Sequence, residues 1–335
     1  MSELTVTDLF SGFGGSSVGL EHAGYKTVIA ANHNPQAVKN HQLNHPDTEH
    51  RIANLSETDF RTFPRTNLCW ASPSCVWHTP AGGRKKLPIV DELRREDVGA
   101  VDRATAFAVV QAAEVHAYEA VIVENVPEFR DWVLYQPWIG MMRVLGYRVQ
   151  ETVIDAYDVG AAQYRRRLFL VFTEHGAVDL SLPAAPRVHA DSILELGGEK
   201  RVTRPMYITP QLEQITEDDV RHLVMYRKNA RAHRADSRPL ATITTSGTHH
   251  GVAYRSRGEF FYRMLSAREL ARGQGFPDDF QFAGTVSEIK RGIGNAVAVP
   301  VARFLGERVA QVQGWVTPPA ARDLVAACAE TLGAA

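Results

Sequence analysis

Cys75 is the residue of this sequence best placed to act as a nucleophile. It follows the apolar segment 67–71 in the sequence ASPSC, and a glycine-containing loop with Arg84 and Lys85 comes after it. A cysteine at the end of a strand can be exposed, and neighbouring cations favour its reactive thiolate form. Because free cysteines are among the most buried residue types, simple packing is the alternative interpretation.

Charged and amide side chains also stand at the ends of two other apolar segments. Glu124 and Asn125 close the segment 120–124, and the arginine-rich sequence QYRRR at 163–167 opens the segment 167–172. A charge at the end of a buried strand needs a partner or a function. A solvated strand end explains the first pair equally well, and arginine runs are usually solvated faces or phosphate contacts.

A glycine-rich turn, DLFSGFGG at residues 8–15, connects a predicted strand at 4–10 to a predicted helix at 16–23. In a sheet of parallel strands, a nucleotide-like ligand binds at such a turn, where glycines let the backbone approach it closely. Taken alone this is weak support, because many such turns serve other cofactors or only packing.

Strands alternate with helices along the first half of the chain. The alternation predicts an α/β fold with a doubly wound, mostly parallel sheet. Further strands are predicted at 27–31, 67–71, 120–124 and 167–172, and the clearest helix at 103–117.

After residue 172 the sequence loses its regular apolar segments and contains scattered proline, glycine and charged residues. This composition predicts a smaller, irregular lobe. We predict a first domain over 1–180, a second over 181–285, and a segment over 286–335 that returns to the first. Residues 287–309 are predicted as a loop followed by a helix. Six basic residues between 221 and 238, with Asp236 the one acid, suggest a stripe that follows phosphates. An ordinary solvated helix face is the alternative.

Composition limits the partners. The 335 residues carry a formal net charge of -1, so any contact with nucleic acid must be a local patch. Three cysteines without a C-x-x-C pair argue against disulfides and against a metal site. Without a long apolar run or a leader-like start, we expect a cytoplasmic protein with no membrane partner.

The ordered combination of motifs resembles the DNA cytosine C5 methyltransferase family. The resemblance spans about residues 4–310, with a variable segment between the fourth and fifth motifs. These motifs lie at 8–15, 73–75, 124–126, 163–167, 238–244 and 294–297. The resemblance implies a Rossmann-like class I methyltransferase domain with a smaller target-recognition domain.

The same resemblance assigns the catalytic residues. Cytosine C5 is too weak a nucleophile to attack a methyl sulfonium, so a nucleophile must first add at C6. Cys75 is expected in that role, Glu124 at N3 and the exocyclic amine, and Arg165 at O2 with Arg167 nearby. The substrate would be duplex DNA with the cytosine flipped into the pocket.

The implied cofactor is S-adenosylmethionine. Two of its expected contacts depart from the family, which has Glu where Asn32 aligns and Asp where Asn54 aligns. Asparagine lacks charge assistance, so we expect weaker donor binding or, as an alternative, a modified donor. The expected donor-binding residues are Phe10, Gly12, Gly14, Gly15, Asn32, Asn54, Asn295 and Val297.

Contacts to the substrate are expected from two loops and from the recognition segment. Asn125 is expected to brace the Cys75 loop, in which Ser74 and Val76 depart from the family's Pro-Cys-Gln. The expected substrate-binding residues are Thr79, Arg84, Lys85, Asn125, Gln163, Thr244 and Thr245. We expect a monomer. Two alternatives stay open: a tRNA cytosine methyltransferase of the same fold, and a DNA-binding protein that has lost activity.

Overall fold

The computed structural model describes residues 3–74, 105–184, 186–245 and 249–315. The predictions for Cys75, Thr79, Arg84 and Lys85 lie outside these described residues.

Within the described residues, seven strands form one sheet in the order β3-β2-β1-β4-β5-β7-β6. The first five are parallel, and β7 runs antiparallel to both β5 and β6. The predicted parallel sheet is confirmed, with an antiparallel end that the sequence analysis did not predict. The strands are β1 Leu4–Leu9, β2 Tyr25–Asn32, β3 Glu49–Ile52, β4 Leu68–Ala71, β5 Ala120–Asn125, β6 Arg148–Asp155 and β7 Arg166–Thr173.

Both faces of this sheet are covered, which explains the nearly continuous apolar strands. Alternate residues of β5 enter two different hydrophobic clusters, Val121 and Val123 one, Ala120 and Ile122 the other. Four helices follow the early strands: α1 Gly15–His22, α2 Pro35–Asn44, α3 Phe107–His116 and α4 Tyr135–Val144.

The segment predicted as a loop and a helix contains two helices, α7 Val286–Asn295 and α8 Val299–Val312. The loop prediction was wrong because it overlooked a capping box, in which Thr285 and Glu288 bond each other's backbone N–H groups. Helix α8 packs against α1 so closely that a Cβ on Gly19 would lie 2.4 Å from the Val299 carbonyl oxygen. The C-terminal part of the chain therefore returns to the large sheet.

The region expected to be irregular contains an antiparallel sheet in the order β10-β9-β11-β12-β8. The turn at Arg257 and Gly258 has positive φ at both residues, 50° and 82°, which suits the right-handed twist of a hairpin. The elements are β8 Lys200–Arg201, α5 Thr209–Leu212, β9 His222–Met225, β10 His233–Arg234, β11 His250–Ser256, β12 Glu259–Met264 and α6 Ala267–Gln274. Across the described ranges, no helix is long and apolar enough to cross a membrane.

Candidate active site

Glu124 and Arg167 form an ion pair where the end of β5 meets the start of β7 in the large sheet. Because β7 runs antiparallel to β5, its first residues lie beside the last residues of β5, and Asn125 is opposite Leu168. The Arg167 Nε lies 3.2 Å from Glu124 Oε1, with the two side chains 18% and 11% exposed. The guanidinium compensates the carboxylate and fixes its orientation, and the pair keeps a small opening to solvent.

Arg165 is more deeply buried, at 4% exposure. Its Nη1 donates to the Ile243 carbonyl at 3.2 Å, and its backbone N–H donates to Asp155 Oδ1 at 2.8 Å. Glu124, Arg165, Arg167 and Val297 line one small cavity. The structure thus brings together the three predicted charged residues and one residue of the predicted donor segment.

Gln163, predicted to contact the substrate, is fully buried. Its Nε2 donates to the Gly273 carbonyl at 3.1 Å and to the side-chain oxygen of Gln274. Its Oε1 accepts from the Ile243 N–H at 3.2 Å. These contacts use both ends of the amide within the protein, so the geometry favours a bracing role for Gln163 over a direct contact with the substrate.

Asn125 connects the end of β5 to the segment that precedes Cys75. Its Nδ2 donates to the Pro73 carbonyl at 3.2 Å, and its Oδ1 accepts from the Val126 N–H at 2.9 Å. The side chain is 1% exposed. Asn125 therefore braces the described end of the Pro73 segment.

The glycine-rich turn after β1 has an unusual backbone. Phe10, Gly12 and Gly14 have φ values of 60°, 57° and 89°, and at Phe10 this conformation is strained. A Cβ on Gly14 would lie 3.0 Å from both the His41 and His45 rings. A Cβ on Gly15 would lie 2.1 Å from the Val297 carbonyl oxygen, so only glycine allows the two predicted donor-binding segments to meet there.

Asp8 lies behind this turn without a cationic partner at ion-pair distance within the described part of the chain. Burial raises the pKa of Asp8 to about 6, against hydrogen bonds from Ser16 and Ser17 that lower it. Both hydroxyls donate to Asp8 Oδ2, at 2.6 and 2.7 Å. The Ser17 oxygen also lies 3.0 Å from His41 Nε2, and burial lowers the pKa of His41 well below its usual value, which keeps that ring neutral.

Asn32 and Asn54 already use their side-chain oxygens locally. Asn32, the last residue of β2, accepts from the Asn34 N–H at 2.9 Å, and Asn54 accepts from the Ser56 N–H at 3.3 Å. Among the described residues neither amide NH₂ group donates a hydrogen bond, so at both positions a donor remains for a ligand where an acidic residue would offer acceptors.

The recognition segment and the returning segment touch. A Cβ on Gly294 would lie 2.3 Å from the Thr244 carbonyl oxygen. Asn295 ends α7 and is exposed, as is Thr245, whereas Val297 is buried. The predicted recognition segment and the predicted donor-closing segment therefore meet at Thr244 and Gly294.

Comparison with known proteins identifies the family to which this chain belongs. The sequence model of the C-5 cytosine-specific DNA methylase family matches residues 4–184 and 195–311. The chain belongs to this family.

Relatives of the methylase cover nearly its whole length. The Type II methyltransferase M.HgiDI of Herpetosiphon aurantiacus is 29% identical, over 95% of this chain and 96% of the relative. The Type II methyltransferase M.NlaX of Neisseria lactamica is 25% identical, over 91% and 95%. The solved structure of the Entamoeba histolytica methyltransferase EhMeth superposes with a TM-score of 0.71 at 15% identity, over 93% of this chain and 99% of that one. The methylase is a DNA cytosine-5 methyltransferase with a Rossmann-like fold.

Three residues of the site in this methylase had no role in the sequence analysis. His41 and His45 are four residues apart, a spacing that places them on one side of α2 and against Gly14. Gln274 bonds Gln163, but a single glutamine at the end of a helix carries no signal that distinguishes it from a surface residue.

Proposed function

We propose that the methylase transfers a methyl group from S-adenosylmethionine to C5 of a flipped cytosine in a short duplex DNA site, through a covalent bond between Cys75 and C6. The observation that carries this proposal is the cavity shared by Glu124, Arg165, Arg167 and Val297. The proposed reaction needs an acid and guanidinium groups beside the base, with the donor segment next to them, and residues of each kind line this cavity.

Each protein group has a defined task. Cys75 adds its sulfur to C6, and negative charge then develops toward N3 and O2 of the ring. Glu124 supplies a proton at N3, and the Arg165 guanidinium stabilises O2. Arg167 holds the Glu124 carboxyl in place through the 3.2 Å contact. Once C5 carries the methyl group, N3 would return its proton to Glu124 and water would take the C5 proton, which re-forms the C5=C6 bond and expels the Cys75 sulfur. The cost of unstacking the base, a few kcal/mol, must come from contacts to DNA.

The turn at residues 8–15 fits the proposed donor. Asp8 Oδ1 and Ser11 Oγ are buried and have no hydrogen-bond partner in the ranges that the structure describes. The space in front of Gly12 is open, so a ligand can approach the backbone there. S-adenosylmethionine supplies an electrophilic methyl group. We propose that Phe10, Gly12, Gly14 and Gly15 hold it from one side and Asn295 and Val297 from the other, with Asn32 and Asn54 as uncharged contacts.

The proposed DNA contacts come from the smaller lobe. Arg221 pairs with Asp191, and Arg234 pairs with Glu217 and Asp236, so these two charges are compensated. Four basic side chains of the stripe have no acidic partner at ion-pair distance in the described structure and are exposed: Arg227, Lys228, Arg231 and Arg238. Three of them lie in the turn after β9. We propose that this turn contacts phosphates and that Thr244 and Thr245 lie near the base edges.

The remaining expectations are also part of this proposal. One copy of the methylase would act on one duplex site as a monomer in the cytoplasm. By analogy with its Type II relatives, it would modify a short sequence that a restriction enzyme also recognises.

The experiment is methyl transfer with tritiated donor and unmethylated duplex DNA, for the natural chain and for Cys75→Ser. Tritium should appear at cytosine C5 within one short motif, as located by bisulfite sequencing, and should be lost in the variant. DNA binding by the natural chain without incorporation at saturating donor would overturn the proposal and favour a binding protein without activity. Preference for tRNA over duplex DNA in competition would overturn the substrate.

A further inference from the structure

We propose that Gln274 is a positioning residue that holds the target pocket and the donor-closing segment in one fixed arrangement. The inference rests on the proposed roles of Arg165 and Val297. Gln274 ends α6 and is fully buried, and its amide bonds segments from both sides of the site.

On the target side, Gln274 acts through Gln163. Its Oε1 accepts from Gln163 Nε2, and Gln163 Oε1 in turn accepts from the Ile243 N–H at 3.2 Å. The Ile243 carbonyl receives the Arg165 Nη1 at 3.2 Å. Gln274 is thus three hydrogen bonds from the guanidinium proposed to stabilise cytosine O2.

On the donor side, Gln274 Nε2 donates to the Ile293 carbonyl at 2.7 Å and to the Ala296 carbonyl at 3.3 Å. These carbonyls belong to the last turn of α7 and to the residue before Val297. The Val297 carbonyl lies so close to Gly15 of the proposed donor turn that no side chain would fit between them. A shift of the Gln274 amide therefore moves the segment proposed to close over the donor.

Only an amide of this length serves both sides. The Gln274 oxygen must accept and its nitrogen must donate, and a buried group left without its partner costs more than the bond itself contributes. Glutamate would keep the acceptor for Gln163 but would place a carboxylate oxygen against two carbonyl oxygens. Methionine would keep the volume and lose all three hydrogen bonds.

The test compares Gln274→Met and Gln274→Glu with Gln211→Met. Gln211 is a matched control because it is also buried and exchanges two hydrogen bonds with the Met225 backbone, entirely within the smaller lobe. For each protein, the donor Kd is measured by calorimetry with S-adenosylmethionine, and kcat, the KM for duplex DNA and the melting temperature are measured alongside.

Gln274→Met should raise the donor Kd and lower kcat, each by about 3- to 10-fold, the effect of one or two hydrogen bonds. The KM for DNA should change by less than about twofold, because Gln274 contacts no DNA in the proposed arrangement. Gln274→Glu should weaken the donor at least as much, since its Oε1 still accepts from Gln163 while its other oxygen faces the two carbonyls. Gln211→Met should lower the melting temperature and leave the donor Kd and kcat unchanged.

Three results would overturn the inference. If both Gln274 variants lose melting temperature as Gln211→Met does while the donor Kd and kcat stay at the natural values, Gln274 is merely structural. If Gln274→Met does not fold, the donor Kd of Gln274→Glu decides alone, and an unchanged value rejects the proposal. A natural chain that binds no S-adenosylmethionine would instead reject the proposed function, and this inference with it.

Discussion

The proposed target side and the proposed donor side of the site stabilise their buried polar groups in different ways. On the target side, Glu124 is compensated by Arg167 at 3.2 Å, and charge is placed where the reaction would develop charge. On the proposed donor side, Asp8 is held by two serine hydroxyls, one of which also contacts the His41 ring, and Asn32 and Asn54 stand where the family resemblance would place acids. The target half therefore keeps strong electrostatics, whereas the donor half depends on shape and neutral hydrogen bonds.

The largest effect is expected at Glu124, because it is the carboxyl group proposed to supply the proton at N3. Glu124→Ala should lower kcat by about 10²- to 10⁴-fold, the usual contribution of a general acid. Single-turnover transfer with tritiated donor measures this. The matched control is Glu151→Ala, since Glu151 forms an ion pair with Arg130 away from the cavity. A kcat for Glu124→Ala equal to that of the control would contradict the role of the acid.

Substitution of Asp8 tests whether the buried carboxylate on the proposed donor side lacks a compensating charge. The pKa of Asp8 in the folded protein, about 6, lies above its usual value of 3.8, so its contribution to stability is full below about pH 4 and is lost as the pH rises through 6. Relative to Asp8→Asn, the free energy of unfolding of the natural chain should fall by roughly 3 kcal/mol between pH 4 and pH 7.

Urea unfolding at several pH values measures this difference. Asp59→Asn is the control, because hydrogen bonds from Arg61 lower the pKa of Asp59 and its pH dependence must have the opposite sign. A flat difference curve for Asp8→Asn would mean that the carboxylate is compensated and that the contrast between the halves is wrong.

Substitution of Arg167 tests the role of its ion pair with Glu124. Arg167→Ala should lower kcat by about 10- to 100-fold, since a hydrogen bond to a charged group contributes about 1.5–3 kcal/mol and Glu124 would lose its orientation. Arg166→Ala, at the exposed neighbouring position, should leave kcat unchanged. Equal losses in the two variants would show that the pair contributes only net charge.

Asn32 tests the donor half by restoring the charge. Asn32→Glu should lower the donor Kd by about 3- to 10-fold, because a carboxylate accepts from ribose hydroxyls more strongly than an amide does. Asn32→Gln has the same side-chain length as Asn32→Glu but no charge, and it should not lower the donor Kd. If the glutamate variant binds S-adenosylmethionine no better than the glutamine variant, Asn32 does not lie at the ribose.

The smallest effect is expected in the smaller lobe, where the same contrast between paired and unpaired charges recurs. Arg227→Ala and Lys228→Ala should each reduce the slope of log Kd for duplex DNA against log salt by about 1. Arg234→Ala should change it little, because Glu217 and Asp236 already compensate Arg234. Equal slopes for all three variants would remove the turn after β9 from the proposed interface.

The sequence predicted five of the seven strands of the large sheet and missed β3 and β6, whereas it predicted no strand of the smaller lobe. Buried strands such as β4 and β5 are continuous apolar runs, and the candidate residues Cys75 and Glu124 stand after or at their ends in the sequence. In the smaller lobe, β8 and β10 have two residues each, too short to show any alternation. The capping box at Thr285 was visible in the sequence and was overlooked.

By itself, the sequence determined the family and the candidate catalytic residues, because chemistry fixes the residue types and their order along the chain. Only the tertiary structure decided how those residues are held: Arg167 against Glu124, and Gln163 turned inward to Gln274. Gln163 and Gln274 are 111 positions apart, as Gly15 and Val297 are 282 apart, and no local pattern records contacts at such separations. Burial then sets the strength of each contact, because the same amide or carboxylate is worth little in water and much in the interior.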